Sequence, residues 1–217
     1  MIPSSAWLMV VALLAAAYLL GSVPTAVWLG KAFFGKDVRD FGSHNAGATN
    51  TFRVLGAWPG IIVLVLDTLK GWLAIFLADS YSPWGDTRQG MAFLIAAAVA
   101  AVLGHVFPIL AGFRGGKGIA TMLGIVMYLY PETFPLLLII FLVVFLSTGY
   151  VSLGSILAAV SFPLIAILVF REEKPALIAL SIAIAITVPI THRRNIIRLL
   201  RREENRITVF RRKEGRG

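Results

Sequence analysis

The stretch I-A-T-M-L-G-I-V-M-Y-L-Y-P-E-T-F-P-L-L-L-I-I-F-L-V-V-F-L-S-T-G, Ile119–Gly149, constrains the architecture more tightly than any other part of this chain. It is too apolar for a loop in water and too long for one membrane crossing. As a single helix it would run about 46 Å at 1.5 Å per residue, against a hydrocarbon layer about 30 Å thick. Pro131 and Pro135 bracket Glu132 near its middle, and the residue before a proline is biased away from helix. The spacing therefore predicts two short helices, re-entrant or tilted, at Ile119–Tyr130 and Phe134–Ser147.

On either side, apolar runs recur at Ala6–Gly30, Trp58–Ala78, Gly90–Ala111, Ser152–Phe170 and Ala176–Thr191. The chain is 58% hydrophobic and only 14% charged, whereas soluble domains average roughly 25% charged. No polar segment is long enough to enclose a core, so a single polytopic domain over residues 1–217 is expected, with 192–217 as a basic tail. No Lys or Arg precedes the first apolar run, which reads as a retained span rather than a cleaved signal peptide.

Charge settles the count and the orientation. Lys and Arg number four in Lys31–Leu55, one in Asp79–Gln89, two in Gly112–Gly118, two in Arg171–Pro175 and ten in His192–Gly217. Seven spans with the N-terminus outside place sixteen of these inside and three outside; six spans strand both early basic loops outside. The positive-inside rule thus predicts an all-α integral membrane protein with seven transmembrane helices and a cytoplasmic C-terminus. Three polar segments then share the cytoplasmic face and are expected to converge.

The first segment is F-G-S-H-N-A-G-A-T-N-T-F-R, Phe41–Arg53. Its small residues let backbone N–H groups approach a ligand, and Ser43, Asn45, Thr49, Asn50 and Arg53 supply partners for phosphate. The second is G-H-V-F-P-I-L-A-G-F-R-G-G-K-G-I-A-T, Gly104–Thr121. Glycine-rich turns before a helix expose N–H donors to anions, and Arg114 and Lys117 add cations. It is no Walker loop, because Ala111 and Gly118 stand where that motif needs Gly and Ser or Thr. A plain tight turn with two snorkelling cations competes evenly with a phosphate loop. The third is H-R-R-N-I-I-R-L-L-R-R-E-E-N-R, His192–Arg206, in which the arginines read as a topogenic, lipid-binding tail. His192 and Asn195, three apart, are expected to share a helix face.

Asp67 and Lys70 lie inside a span and read as a structural pair. His105 reads as a structural or supporting histidine, and Ser22 with Pro24 as a kink. The chain has no Cys, which excludes a cysteine acyl-enzyme. An H-x-x-x-x-D box would need Asp where Thr49, Leu110 and Ile197 stand. No carboxylate cluster suits Mg²⁺ or Zn²⁺, so neither a metal nor another cofactor is expected, and no nucleic acid partner.

G-S-V-P at Gly21–Pro24, the first motif, G-H-V-F-P-x-x-x-x-F-R-G-G-K-G-I-A-T, D-x-x-K-G at Asp67–Gly71 and H-R-R-N-I-x-R-L-L-x-x-x-E-N-R resemble, in the same order, the bacterial acyl-phosphate:glycerol-3-phosphate acyltransferases. The resemblance implies a seven-helix enzyme of the bacterial inner membrane whose active site faces the cytoplasm. It implies transfer of a fatty acyl group from acyl phosphate to the 1-hydroxyl of glycerol 3-phosphate, giving lysophosphatidic acid. Membrane lipids and an upstream enzyme supplying acyl phosphate are the implied partners. Carried over, Ser43 and Arg53 match the family's essential pair. Gly115, Gly116, Lys117 and Gly118 match its glycerol-phosphate loop, with Thr121 at the motif's end. His192 and Asn195 match functional positions, and Glu204 the structural acid. The family usually has Gly where this chain has His44 and Arg202. The first departure alters loop geometry or adds a titratable group; the second is expected to make the tail more helical. The competing class is a membrane transporter of a small organic phosphate, which an internal inverted repeat would favour; none is evident.

Overall fold

A computed structural model describes residues 4–207; the end of the basic tail, 208–217, lies outside the described residues. Every regular element among the described residues is helical. Ten α-helices follow in order: α1 Ser4–Ser22, α2 Thr25–Phe34, α3 Ala48–Leu55, α4 Ala57–Ser80, α5 Arg88–Val106, α6 Ile119–Leu129, α7 Phe134–Thr148, α8 Val151–Leu164, α9 Pro175–Thr191 and α10 Arg193–Leu200. The long apolar stretch does break at its prolines, between α6 and α7. At 11 and 15 residues, each is shorter than the hydrocarbon layer is thick.

Three segments among the described residues are long and apolar enough to cross a membrane alone: α4, Arg88–Ala111 and Val151–Val169. Two bent pairs, α1 with α2 at 41° and α9 with α10 at 61°, raise the number to five. The first bend falls where Ser22 and Pro24 anticipate a kink. Proline lacks an N–H and cannot continue the ladder of α1. After Pro163 in α8 the backbone widens, and Phe170 N–H donates to Ile165 C=O at 3.1 Å, a π-type turn.

The described residues form two compact units that divide after Pro131. In the first, α1 packs on α5 and α4 on α6, around Val10, Ala17, Ala74, Ile75, Ala97 and Ile125. These crossings run backbone to backbone. A Cβ at Gly21 would overlap the Ala101 carbonyl, one at Gly104 that of Tyr18, and one at Gly71 that of Thr121. Small residues at such crossings replace a hydrophobic driving force that lipid cannot supply. In the second unit α8 packs against both α7 and α9.

Candidate active site

In the first unit, α2 ends at Gly35 in a left-handed conformation, and the chain enters the polar segment through a single turn of 3₁₀ helix, Val38–Asp40. Asp37 caps that turn. Its carboxylate accepts Arg39 N–H at 3.0 Å, Arg39 Nε at 2.9 Å and Arg39 Nη2 at 2.7 Å, with Lys31 Nζ at 3.2 Å. Arg39 holds the Asp37 carboxyl well below the usual carboxylate range, against a smaller opposing effect of burial.

Asn50 organises the loop beyond this turn. It is 2% exposed, and its amide is fully committed to the loop. Oδ1 accepts Ser43 N–H at 2.8 Å and Ser43 Oγ at 3.1 Å, while Nδ2 donates to Val38 C=O at 2.7 Å and Phe41 C=O at 3.1 Å. This amide, expected to meet substrate, is instead the knot that closes the loop. Gly42, at φ 63, is required beside it, because a Cβ would overlap Asn50 Oδ1. The side chains of Asn45 and Thr49 are half-buried and make no hydrogen bond among the described residues. Arg53 is half-buried in the last turn of α3.

Residue 44 has φ 57, a left-handed position that glycine adopts without strain and other residues do not. His44 occupies it with Nδ1 donating to Arg39 C=O at 3.0 Å. The extra titratable ring thus braces the turn from its exposed side.

The glycine-rich segment folds onto the end of α5. Gly115 N–H donates to Val106 C=O and Gly116 N–H to His105 C=O, both at 3.2 Å. Gly118, at φ 79, begins α6. The two polar segments are fastened to each other by Arg39, whose Nη1 donates to Ala111 C=O at 2.8 Å and Arg114 C=O at 3.2 Å. They also meet at Gly116, where the space for a Cβ is closed by His105 Nε2 and by the Ala46 carbonyl at 3.0 Å. Thr121, fully buried, has Oγ1 3.1 Å from His105 Nδ1, so its hydroxyl faces the histidine. Lys117 is half-buried in the loop.

Asp67 and Lys70 form the expected pair, 2.8 Å apart and both buried. Thr25 Oγ1 donates to Asp67 Oδ1 at 2.9 Å, and Lys70 Nζ donates to Val23 C=O at 3.0 Å. The pair satisfies polar groups exposed where α1 breaks from α2, and so pins that break to α4.

In the second unit the last apolar helix stops at Thr191. His192 N–H is shared between Val188 C=O at 3.0 Å and Pro189 C=O at 3.1 Å, and the bend lies here. His192 heads the helix that carries Asn195, its C=O accepting Ile196 N–H at 2.9 Å, and lies at the bend rather than in the apolar helix before it. Pro189 removes a backbone donor, the chain turns, and His192 precedes α10, whose first turn carries Asn195. His192 Nδ1 donates to Val188 C=O at 2.9 Å, which makes Nε2 the lone-pair nitrogen of the neutral ring. Glu204, 6% exposed, accepts Ser152 Oγ at 3.1 Å and Asn195 Nδ2 at 2.7 Å on Oε1, and Arg198 Nε at 2.6 Å on Oε2. Burial raises its pKa, but Arg198, Asn195 and Ser152 together outweigh burial and hold the carboxyl below its ordinary value. Glu204 thus ties the start of α8 to α10.

Arg202 does not extend the tail helix. α10 ends at Leu200, and Arg202 adopts φ 61. Glu203 N–H closes on Arg198 C=O at 2.8 Å and Arg202 N–H on Leu199 C=O at 3.1 Å, the paired closure that favours glycine at this position. Both departures from the family's glycines therefore fall on left-handed backbone.

Sequence reasoning missed Asp37 and Arg39, which it counted only as charges. The signal was the D-V-R spacing, which lets a turn-capping carboxylate take a guanidinium two residues on.

Similarity to known proteins bears on what this arrangement does. The family model described as glycerol-3-phosphate acyltransferase matches residues 11–202. A glycerol-3-phosphate acyltransferase of Fusobacterium nucleatum is 43% identical over 190 residues, spanning 87% of this chain and 93% of its own. One from Salinibacter ruber is 40% identical, spanning 94% of each chain. The crystal structure of PlsY (YgiH), an integral membrane glycerol 3-phosphate acyltransferase, in its glycerol 3-phosphate form, superposes with a TM-score of 0.80 at 36% identity. That match covers 92% of this chain and 96% of the other. With its two polar segments fastened as described, this chain belongs to the glycerol-3-phosphate acyltransferase family and is a membrane acyltransferase.

Proposed function

We propose that the protein transfers a fatty acyl group from acyl phosphate to the 1-hydroxyl of glycerol 3-phosphate, releasing phosphate and lysophosphatidic acid. The observation that carries this reading is the junction at Gly116. There a loop rich in hydroxyl and amide groups meets a glycine-rich turn flanked by Arg114 and Lys117. Two anionic head groups need such a surface.

Acyl phosphate is a mixed anhydride with a good leaving group, so the chief demand is positioning. Holding the hydroxyl against the acyl carbon supplies about 7–11 kcal/mol of barrier reduction. Arg53, Lys117 and Ser43 neutralise the phosphates, Asn45 and Thr49 line the first loop, and Gly118 offers a backbone N–H. Gly115 and Gly116, whose own N–H groups are held by the Val106 and His105 carbonyls, let the phosphate approach the backbone closely. His192 and Asn195 orient the glycerol phosphate. The hydroxyl oxygen attacks the carbonyl carbon and the bond to phosphate breaks. The proton leaves to a phosphate oxygen of the donor or to His192 Nε2. Transfer is direct: the Ser43 hydroxyl donates to an amide oxygen, which has no basicity to activate a nucleophile. The acyl chain lies in the apolar groove of about 790 Å³ between α1–α2 and α4, lined by Trp28, Phe33, Trp58, Ile62 and Leu66. Its Phe33 and Trp58 end is next in the chain to the polar loop.

The protein crosses the bacterial inner membrane seven times, N-terminus outside, with the site facing the cytoplasm. The span count and orientation rest on the distribution of Lys and Arg, and the bacterial inner membrane on the resemblance to the bacterial acyl-phosphate:glycerol-3-phosphate acyltransferases. The native chain lacks Cys, so single cysteines at Ser82 and Lys36 report directly. An impermeant maleimide applied to intact cells should label the first and spare the second. The reaction is tested by offering palmitoyl phosphate, palmitoyl-CoA and palmitoyl-acyl carrier protein to purified enzyme with radiolabelled glycerol 3-phosphate. Product from palmitoyl phosphate alone is expected. Turnover with only the thioesters, or an acyl group trapped on Ser43, would overturn the reading.

A further inference from the structure

One buried side chain outside the assigned residues touches the glycine loop at both ends. His105, in the last turn of α5, is 6% exposed. Its carbonyl accepts Gly116 N–H. Its ring lies so close to Gly116 that a Cβ there would overlap Nε2. Its Nδ1 pairs with Thr121 Oγ1 at 3.1 Å, in the first turn of α6 beyond the loop. Nε2 has no hydrogen-bond partner among the described residues.

A loop holding three glycines in four residues has many conformations open to it. Its backbone keeps one shape for an anion only if something outside the loop restrains it, as the Val106 and His105 carbonyls do by holding Gly115 and Gly116 N–H. Side chains on the loop would do so at the cost of blocking close approach. A ring pressed on Gly116 and tethered to Thr121 restrains it without adding a side chain to the loop.

We propose that His105 is a positioning residue for glycerol 3-phosphate, setting the Gly115–Gly118 backbone for its phosphate through the Gly116 contact and the Thr121 tether. The proposal rests on the reading of that loop as a phosphate site.

The test is the set of Michaelis constants for His105→Ala, His105→Asn, Thr121→Val, Gly116→Ala and the His105→Ala/Gly116→Ala double variant. His105→Ala and Thr121→Val should each raise KM for glycerol 3-phosphate about tenfold, the scale of one lost buried hydrogen bond. The value for palmitoyl phosphate should move less than about twofold. His105→Asn keeps a polar atom toward Thr121 and should recover part of the loss. Contacting residues couple, so the KM penalty of Gly116→Ala should shrink to about a third in the His105→Ala background, where the added methyl no longer meets the ring. An unchanged KM in the single variants, equal losses for both substrates, or a Gly116→Ala penalty independent of residue 105 would overturn the proposal. If His105→Ala fails to fold, the near-isosteric Thr121→Val decides by the same KM criterion. A wild-type enzyme that makes no product from glycerol 3-phosphate refutes the phosphate-site reading. A wild-type enzyme with a normal KM that these variants leave alone refutes only the role of His105.

Discussion

Replacing Asn50 by Asp changes one atom and reverses one half of the knot that shapes the first loop. Oδ1 still accepts from Ser43 N–H and Oγ, at 2.8 and 3.1 Å. The second oxygen now faces the Val38 and Phe41 carbonyls, where Nδ2 donated at 2.7 and 3.1 Å. Two hydrogen bonds worth about 1 kcal/mol each are lost, and the new carboxylate oxygen, buried against two carbonyls without a donor, costs about another 1 kcal/mol. The total of about 3 kcal/mol corresponds to a roughly 100-fold fall in the equilibrium constant for closing the loop. The perturbation is local, so kcat/KM for glycerol 3-phosphate should fall by about that factor at pH 8 while the purified variant elutes as a folded protein. A proton on the carboxyl restores one donor. Facing two carbonyls in a buried site, the carboxyl's folded pKa is raised above its unfolded value. The penalty is therefore whole above that raised pKa and shrinks as the pH falls through it. The ratio of variant to wild-type kcat/KM should rise between pH 8 and pH 5.5. A variant within threefold of wild type at pH 8, or a ratio flat across that range, would show that the Asn50 amide does not hold the loop closed.

Arg39→Gln removes two charge-assisted bonds to carbonyls of the glycine segment, each worth about 1.5–3 kcal/mol; steady-state kinetics should show kcat/KM down at least about tenfold in a folded protein. Because the Asp37 carboxyl is held below its ordinary range, the stability it lends is present above its unfolded pKa of about 3.9 and is lost only as pH falls through the lower folded value. Wild-type thermal stability should thus show no Asp37 titration between pH 5.5 and 8.5. Lys70→Met leaves Asp67 buried without its ammonium and should destabilise by about 3–5 kcal/mol, read as a lower melting temperature in detergent, with Asp67→Asn/Lys70→Met regaining most of it. Arg202→Gly relieves a left-handed backbone worth about 1 kcal/mol, offset in part by glycine's greater chain entropy, and should raise the melting temperature slightly. His44→Gly also loses the bond to Arg39 C=O and should be nearly neutral.

The apolar helices, and the break between α6 and α7, were legible because span length and proline act locally. Ser22 and Pro24 likewise marked the α1–α2 bend. The geometry of His192 was not legible, because a three-residue spacing says nothing of a helix interrupted by a proline three positions earlier. Composition marked Asn50 as polar and near phosphate-friendly groups, but whether an amide faces substrate or backbone depends on where four other loop atoms lie. Arg39 escaped notice because its partners at Ala111 and Arg114 are more than seventy positions away. Arg202 was read as helical from side-chain propensity, whereas the Leu199 and Arg198 carbonyls closed the helix in a geometry indifferent to it.

If the joined polar loop and glycine loop form an acyl-transfer site for two phosphates, purified protein in detergent must turn over radiolabelled glycerol 3-phosphate and palmitoyl phosphate. Labelled lysophosphatidic acid should form with the wild-type enzyme and be lost with folded Arg53→Ala and Lys117→Ala variants. Absence of product from folded wild-type protein, or undiminished turnover in both variants, would contradict that assignment of the two loops.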